Sequence, residues 1–576
     1  MTKNTGLADL DCGFRSSFLD YQTLTTQLER WAQAFPDLCR LRSIGTTTEG
    51  RSIWHLTIGP EPDRVRPAVW VDGNMHASEL CGSSVALAIA EDALKLHLDP
   101  DYDAHGLPQH VRERLREVLF YVVPRMSPDG AEVVLHTSRY VRSAPRDRRP
   151  NREAPRWVRG DIDGDGKSLM MRMPHPAGEF VESTDVPGLM VARRLNDPGP
   201  YYKLFPEGTI EPFDGSTIPD PHYLSDNQTD LNRNFPFSWM PAHAQAGAGD
   251  FPLSEPESRA VVEFATAHPE IFGWLNLHTF GGVFIRPLGD KPDSKMHMGD
   301  RVLYRQLAAW AEELTGYPMV SGFEEFLYEP DQPLYGDLTE YAYHQRGAVS
   351  YVVELWDLFK RLGKERPKKF VDYYAEVTRA DLLALAKFDR EENAGRVFLP
   401  WRKTEHPQLG PLEIGGADPL VGIWNPPYER IAEVCKGQVA HFLRLAALAP
   451  AVRVRVVERV TTGDDLTRLT ISVENHGYLP TCVLASAMHL EFNEPLWARA
   501  ESSGCALVDA GDAVREIGHL DGWGRGLGGG EEPLGSGESK GSSTDRRLTY
   551  LARGHGVLTL RIGSCRVGWT TLAEKI

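Results

Sequence analysis

Between Ser52 and Trp356, short apolar runs of strand length alternate with stretches of helical period, and no other feature of the chain constrains its fold as strongly. The strand-like runs are "SIWHLTIG", "AVWVDG", "VLFYVVP", "GWLNLHTF" and "AVSYVVELW"; the helical ones include "GSSVALAIAEDALKLHL", "EPESRAVVEFATAH" and "DRVLYRQLAAWAEELTG". Strands that alternate with helices build an α/β sheet covered on both faces. Ahead of them, Leu19, Leu24, Leu28, Trp31 and Ala32 recur at helical spacing and Pro36 marks a stop, which predicts a first helix between Phe18 and Phe35.

The alternation does not continue to the end of the chain. Between Ser127 and Asp230 the sequence is dense in Pro, Arg, Asp and Gly with little periodicity, far longer than an ordinary connection. Irregular but ordered structure is expected there. After a helical segment from Glu429 to Leu448 the period becomes two, in "VRVRVVERV", "LTRLTISVEN" and "GVLTLRIG", which predicts a C-terminal β-sandwich. Inside it, "GWGRGLGGGEEPLGSGESKGSSTD" has the composition of a flexible loop. The expected organisation is an α/β domain over residues 1–425 with an insertion at 130–230, a connecting helical segment at 426–449, and a β-sandwich at 450–576.

Charge and cysteine usage narrow the function classes. The 80 acidic residues outnumber 63 basic ones for a net charge of −17, which disfavours nucleic acid and anionic membranes as partners. No stretch has the roughly 18 apolar residues of a membrane span, and the first residues lack a secretory apolar run. A cytoplasmic location is expected. Seven scattered cysteines without CxxC spacing argue for thiols rather than a disulfide framework.

In "VWVDGNMHASEL", His76 and Glu79 follow an apolar strand three residues apart, and imidazole with carboxylate suits zinc. The spacing alone decides nothing, because His110 and Glu113 share it within "PQHVRERLREVLF", where a solvated helix face is the simpler reading. Position separates the two pairs. His76 follows the carboxyl end of a strand, where α/β sheets place their sites. A catalytic zinc takes three protein ligands, and His278 in "WLNLHTFGG" ends another strand. Zinc would lower the pKa of its water to about 7, and a carboxylate is still needed to move protons. Glu354, behind the apolar run "SYVV", is the candidate.

From about Tyr21 to about Asp357 the chain resembles the zinc carboxypeptidases of the carboxypeptidase A type, through "IGTTTEGRSIWHLTIG", "GNMHASE", "VPRMSPDG", "DLNRNFP", "LHTFGG" and "GAVSYVVELWD". The resemblance implies a mixed sheet of about eight strands between helices, one zinc ion per chain held by His76, Glu79 and His278, and Glu354 as general base and then acid. It implies that Asn232 and Arg233 bind the free carboxylate of a peptide substrate, for which the guanidinium fork is suited. Arg142 most resembles the arginine that stabilises the oxyanion, although eight arginines crowd residues 139–159. Thr339 would lie at the floor of the pocket for the terminal side chain, and its neutrality favours a neutral or apolar residue.

The chain departs from the family pattern at Ser127, where Asn is usual, and at Glu340-Tyr341, where an acid and Trp are usual. Tyr328 and Tyr335 both match the tyrosine that covers the substrate. In "DIDGDGKS", Asp161, Asp163 and Asp165 repeat the first half of a calcium loop, but Arg172 stands where the twelfth-position Glu belongs. An Asp-Gly turn and a structural calcium site are both open. The expected function is a zinc metallocarboxypeptidase, with a related amidase acting on cell-wall peptides or modified amino acids, or an idle binding protein, as alternatives.

Overall fold

The computed structural model describes residues 6–146, 153–221, 229–329, 332–463, 465–524, 539 and 541–576. Most of the Gly-rich loop expected over 522–545 lies outside these residues. At the centre is an eight-stranded mixed sheet. Its four inner strands, Leu119–Val123, Ala68–Gly73, Ile271–Thr279 and Val349–Leu355, run parallel in that order. Cys39–Thr46 and Ser52–Ile58 extend one edge antiparallel, and Val283–Arg286 and Met319–Ser321 extend the other.

The two inner strands Ala68–Gly73 and Ile271–Thr279 are buried along their whole length, which explains why their sequences read as nearly continuous apolar runs. Helix Cys81–Leu98 covers one face, and its small residues let it lie close to the sheet. A Cβ on Gly73 would stand 2.5 Å from the Gly82 backbone, so Gly73 has to be glycine for the helix to start beside the strand end. Helix Ile431–Ala446, read from sequence as a connector, packs into this same core with Val439, Phe442 and Leu443 fully buried. Helix Pro256–Ala267 covers the opposite face, against Ile53, Trp70 and Trp274.

The long insertion is more regular than its composition suggests. It holds six short strands, four of which join Phe398–His406 and Gly410–Ala417 in a second six-stranded sheet with its own apolar cluster around Trp157, Met171, Phe205 and Ile414. Most of these strands have three to five residues, too short to show a period, and pair among themselves; Met170–Pro174 alone reaches the distant strand Gly410–Ala417.

The C-terminal strands form one six-stranded antiparallel sheet. The 20-residue strand Asp545–Ser564 pairs with Leu466–Asn475 along its first half and with Leu496–Leu507 and Gly568–Lys575 along its second. Inward residues from both halves, among them Ile471, Ala498, Tyr550 and Leu560, meet in one cluster. A sandwich of two sheets is expected from the sequence; the strands here form one continuous sheet that runs through the shared strand Asp545–Ser564. Arg566 fastens this sheet to the α/β domain, donating to the carbonyl oxygens of Ile271 (2.7 Å) and Arg346 (2.9 Å) and to Asn493 Oδ1 (3.2 Å). Asp300 adds two more links, accepting from the backbone N–H groups of Ala485 and Ser486.

Candidate metal centre and substrate cavity

The strand Ala68–Gly73 delivers the chain to a tight loop at the carboxyl edge of the sheet. Asn74, at φ 54°, turns it, and the Asn74 amide donates to the carbonyl oxygens of His76 (2.8 Å) and Ala77 (3.1 Å). From the other side Asn425 donates to the Ser78 carbonyl oxygen (2.8 Å) and accepts from Cys81 N–H (2.9 Å). The loop thus holds His76 and Glu79 on a braced backbone rather than a free one. His278 and Glu354 are register neighbours at the ends of two adjacent parallel strands, which sets them side by side next to that loop.

His76, Glu79 and His278 are buried, and one ligand atom from each lies within 4.8 Å of the others. His76 Nδ1 is 2.8 Å from Glu79 Oε1, His278 Nδ1 is 3.1 Å from Glu79 Oε2, and the two Nδ1 atoms are 3.0 Å apart. Each opposite ring nitrogen faces an oxygen: His76 Nε2 meets Asp230 Oδ1 at 3.1 Å, and His278 Nε2 meets Asn276 Oδ1 at 2.5 Å. Those oxygens only accept, so the network assigns the ring protons to Nε2. Two Nδ1 lone pairs and a carboxylate then converge with no proton of their own to share. Such a donor set suits a cation, and two imidazoles with one carboxylate is a zinc combination.

The charges around the centre support the same reading. Burial opposes the ionised form of Glu79, but positive charge on His76 and His278 when they are protonated outweighs it and holds the carboxyl well below its usual range. Burial likewise opposes Asp230, and Arg142, His76 and Arg233 together hold it well below. Arg142 donates from Nε to Asp230 Oδ2 (3.1 Å) and lies 3.5 Å from Glu79 Oε1; these acids outweigh its burial and keep it charged. Glu354 behaves in the opposite way. Burial, then the charge of Glu79, push it well above the usual carboxyl range, against Arg142.

A cavity of about 130 Å³ opens beside the centre, lined among others by His76, Arg142, Asn232, Arg233, His278 and Glu354. Asn232 Oδ1 accepts from Leu338 N–H (2.9 Å), and Arg233 donates to the Asn232 carbonyl oxygen (2.6 Å). Gly336, at φ 71°, lets the following segment press onto them, since a Cβ there would meet the Arg233 carbonyl oxygen at 2.5 Å. Thr339 also lines the cavity, 5% exposed, its hydroxyl without a hydrogen-bond partner among the described residues. It is flanked by Asp337, pushed up to about 7 by burial and the charge of Glu340. Tyr328 lines the cavity, whereas Tyr335 does not.

Sequence reasoning missed the residues behind the ligands. Asp230 opens the quoted "DLNRNFP" and Asp72 lies four residues before His76, but Asn74, Asn276 and Asn425 carry no pattern of their own. His110 and Glu113 stay exposed on helix Gln109–Leu115. Asp161, Asp163 and Asp165 bring one carboxylate oxygen each within 4.8 Å of the others, and none of them lines the cavity. The Asp161 carboxylate accepts from the N–H groups of Gly164 (2.7 Å) and Gly166 (2.8 Å), and Arg402 pairs with Asp163 and Asp165. These bonds are those of an Asp-Gly turn closed by an arginine.

Comparison with known proteins follows the same division of the chain. The family profile described as Zinc carboxypeptidase matches residues 24–174 and 211–376, just over half of the chain. A domain of unknown function, DUF8731, matches residues 451–573. A zinc carboxypeptidase of Saccharothrix mutabilis subsp. capreolus is 26% identical over 151 residues, 26% of this chain and 32% of its own length. Human carboxypeptidase O is 22% identical over 381 residues, 64% of this chain and 79% of its own. The chain therefore spans about a third of the first of these relatives. Among solved structures, carboxypeptidase A from Helicoverpa armigera aligns with a TM-score of 0.42 and 17% identity over 77% of each chain. No helix among the described residues is long and apolar enough to cross a membrane.

Proposed function

The chain belongs to the zinc carboxypeptidase family, and from that premise we propose that it is a zinc hydrolase that removes the C-terminal residue of a peptide or peptide-like substrate. The observation that carries the reading is the convergence of His76, Glu79 and His278 at one edge of a cavity whose wall also holds Glu354 and Arg233. Zinc held by that set supplies Lewis acidity and makes water a stronger acid.

The protein's own groups account for the rest. Glu354, whose raised pKa favours taking up a proton, accepts one from water and passes it to the leaving nitrogen. Arg142, charged and fixed by Asp230, donates to the oxyanion that develops on the scissile carbonyl. Arg233 and Asn232 bind the terminal carboxylate, which selects the end of a chain over its interior. A charge-assisted hydrogen bond contributes roughly 1.5–3 kcal/mol, so Arg233→Ala is expected to weaken kcat/KM about 10–100-fold. The same variant should lose its preference for a free carboxylate over a C-terminal amide; an undiminished preference in a peptide-versus-amide assay removes Arg233 from this role.

The floor of the cavity bears on the terminal side chain. Thr339 alone favours a neutral residue, but Asp337 and Glu340 line the same cavity. A terminal side chain that carries hydrogen-bond donors fits these acceptors better than a carboxylate does. In a set of peptides differing only at the last residue, those ending in Asp or Glu are expected to be the poorest substrates. Hydrolysis of the acidic peptides at the highest rate would rule this floor out as the selector.

The test of the activity itself is release of a single terminal residue from defined peptides, cell-wall peptides included, by zinc-loaded protein. Cleavage confined to internal bonds would exclude it.

A further inference from the structure

Behind the third ligand lies a polar chain with no contact to the cavity. Asp72 and Asn276 are register partners on the parallel strands Ala68–Gly73 and Ile271–Thr279, and Trp70 and Trp274 are partners two residues earlier. All four are 0% exposed. Asp72 Oδ2 accepts from the indole N–H groups of Trp70 (2.7 Å) and Trp274 (2.9 Å), and its Oδ1 accepts from the Asn276 amide. The Asn276 oxygen in turn meets His278 Nε2 at 2.5 Å. A carboxyl at the centre of a sheet is costly to bury, and burial pushes Asp72 up to about 6 despite its three donors. Something other than packing has to account for it.

We propose that Asp72, acting through Asn276, is a positioning residue that fixes the tautomer of His278 and so keeps its Nδ1 lone pair turned toward the metal. The argument is one of hydrogen-bond polarity. An ionised carboxylate only accepts, so the Asn276 amide must turn its NH2 toward Asp72 and its oxygen toward His278. An oxygen facing Nε2 requires the proton there, which leaves Nδ1 free to ligate. Each member has one allowed direction, set from the far end by Asp72. The inference rests on the reading of His76, Glu79 and His278 as a zinc site.

Asp72→Asn tests it without changing size. The indole N–H groups would then claim the new carboxamide oxygen, leaving its NH2 against Asn276. The Asn276 amide turns over, presents NH2 to His278 Nε2, and drives the ring proton to Nδ1, where it opposes the metal. Loss of a partner behind a metal ligand typically costs 10–100-fold in affinity, and that loss of zinc affinity is expected, measured by competition with a chelating dye. Asn276→Leu, which removes the acceptor for Nε2, should show a similar loss.

The exchanged pair separates polarity from packing. In Asp72→Asn with Asn276→Asp, the bond between the two positions reverses, but the indole N–H groups keep an oxygen acceptor and a carboxylate again accepts from His278 Nε2–H. Zinc affinity within about tenfold of wild type is expected, with the unfolding midpoint recorded for each variant. Wild-type affinity in Asp72→Asn, or an exchanged pair that binds zinc no tighter than Asp72→Asn, overturns the relay. If the wild type itself binds no zinc, the zinc-site reading falls instead.

Discussion

Glu354→Gln should bind zinc as the wild type does and hydrolyse peptides 10²–10⁴-fold more slowly, the range associated with loss of a positioned general base. The substitution keeps size and leaves the three converging donors untouched, since Glu354 is not among them. What it removes is basicity. Burial and the nearby Glu79 already make the Glu354 carboxylate hold a proton more strongly than an exposed glutamate, with Arg142 as the counterweight. A carboxamide in the same place cannot take the proton at all. Zinc content and turnover must be measured on the same preparation, because joint loss would indicate damage to the centre and retained turnover would remove Glu354 from the role of base.

Arg566→Ala should cost about 3–5 kcal/mol of stability, as expected when several buried hydrogen bonds lose one shared donor. Arg566 is 1% exposed, and burial lowers its pKa to about 10. No carboxylate pairs with it among the described residues; its hydrogen-bond acceptors are carbonyl and amide oxygens. Truncation leaves the oxygens of Ile271, Arg346 and Asn493 buried without that donor. Ile271 opens the strand bearing His278, and Arg346 lies just before the strand bearing Glu354. The effect is therefore expected across the join of the two domains, as a lower denaturant midpoint for the whole chain. Arg566→Lys, with its charge kept and its planar fork lost, should fall between. An unchanged midpoint in Arg566→Ala would show that the C-terminal sheet is held by its other contacts.

The parts of this protein that were legible in the sequence are those written in local pattern. The apolar runs before His76 and His278 carry the period and length of buried strands, and the motifs at their ends name donors. Glu354 announced itself as a carboxylate behind an apolar run, and the structure sets it beside His278. The strands of the insertion were not legible because three to five residues give too short a window for a period of two, and the sheet they build is completed by chain near residue 410. Helix Ile431–Ala446 looked like a connector because its place in the first core depends on contacts with helix Cys81–Leu98, far away in sequence. Asp72 and Asn276 were hidden for a different reason. Each is a single polar residue inside an apolar run, and only the register of two parallel strands makes them neighbours.

The central claim is that three buried side chains bind zinc for removal of a C-terminal residue. The direct measurement is metal content together with product analysis on a peptide of defined sequence, for the wild type and for His278→Ala. The account predicts one zinc per wild-type chain, release of the terminal amino acid alone, and loss of both metal and activity in the variant. Full zinc content in His278→Ala, or a wild type that releases no terminal residue from any peptide offered, would contradict it.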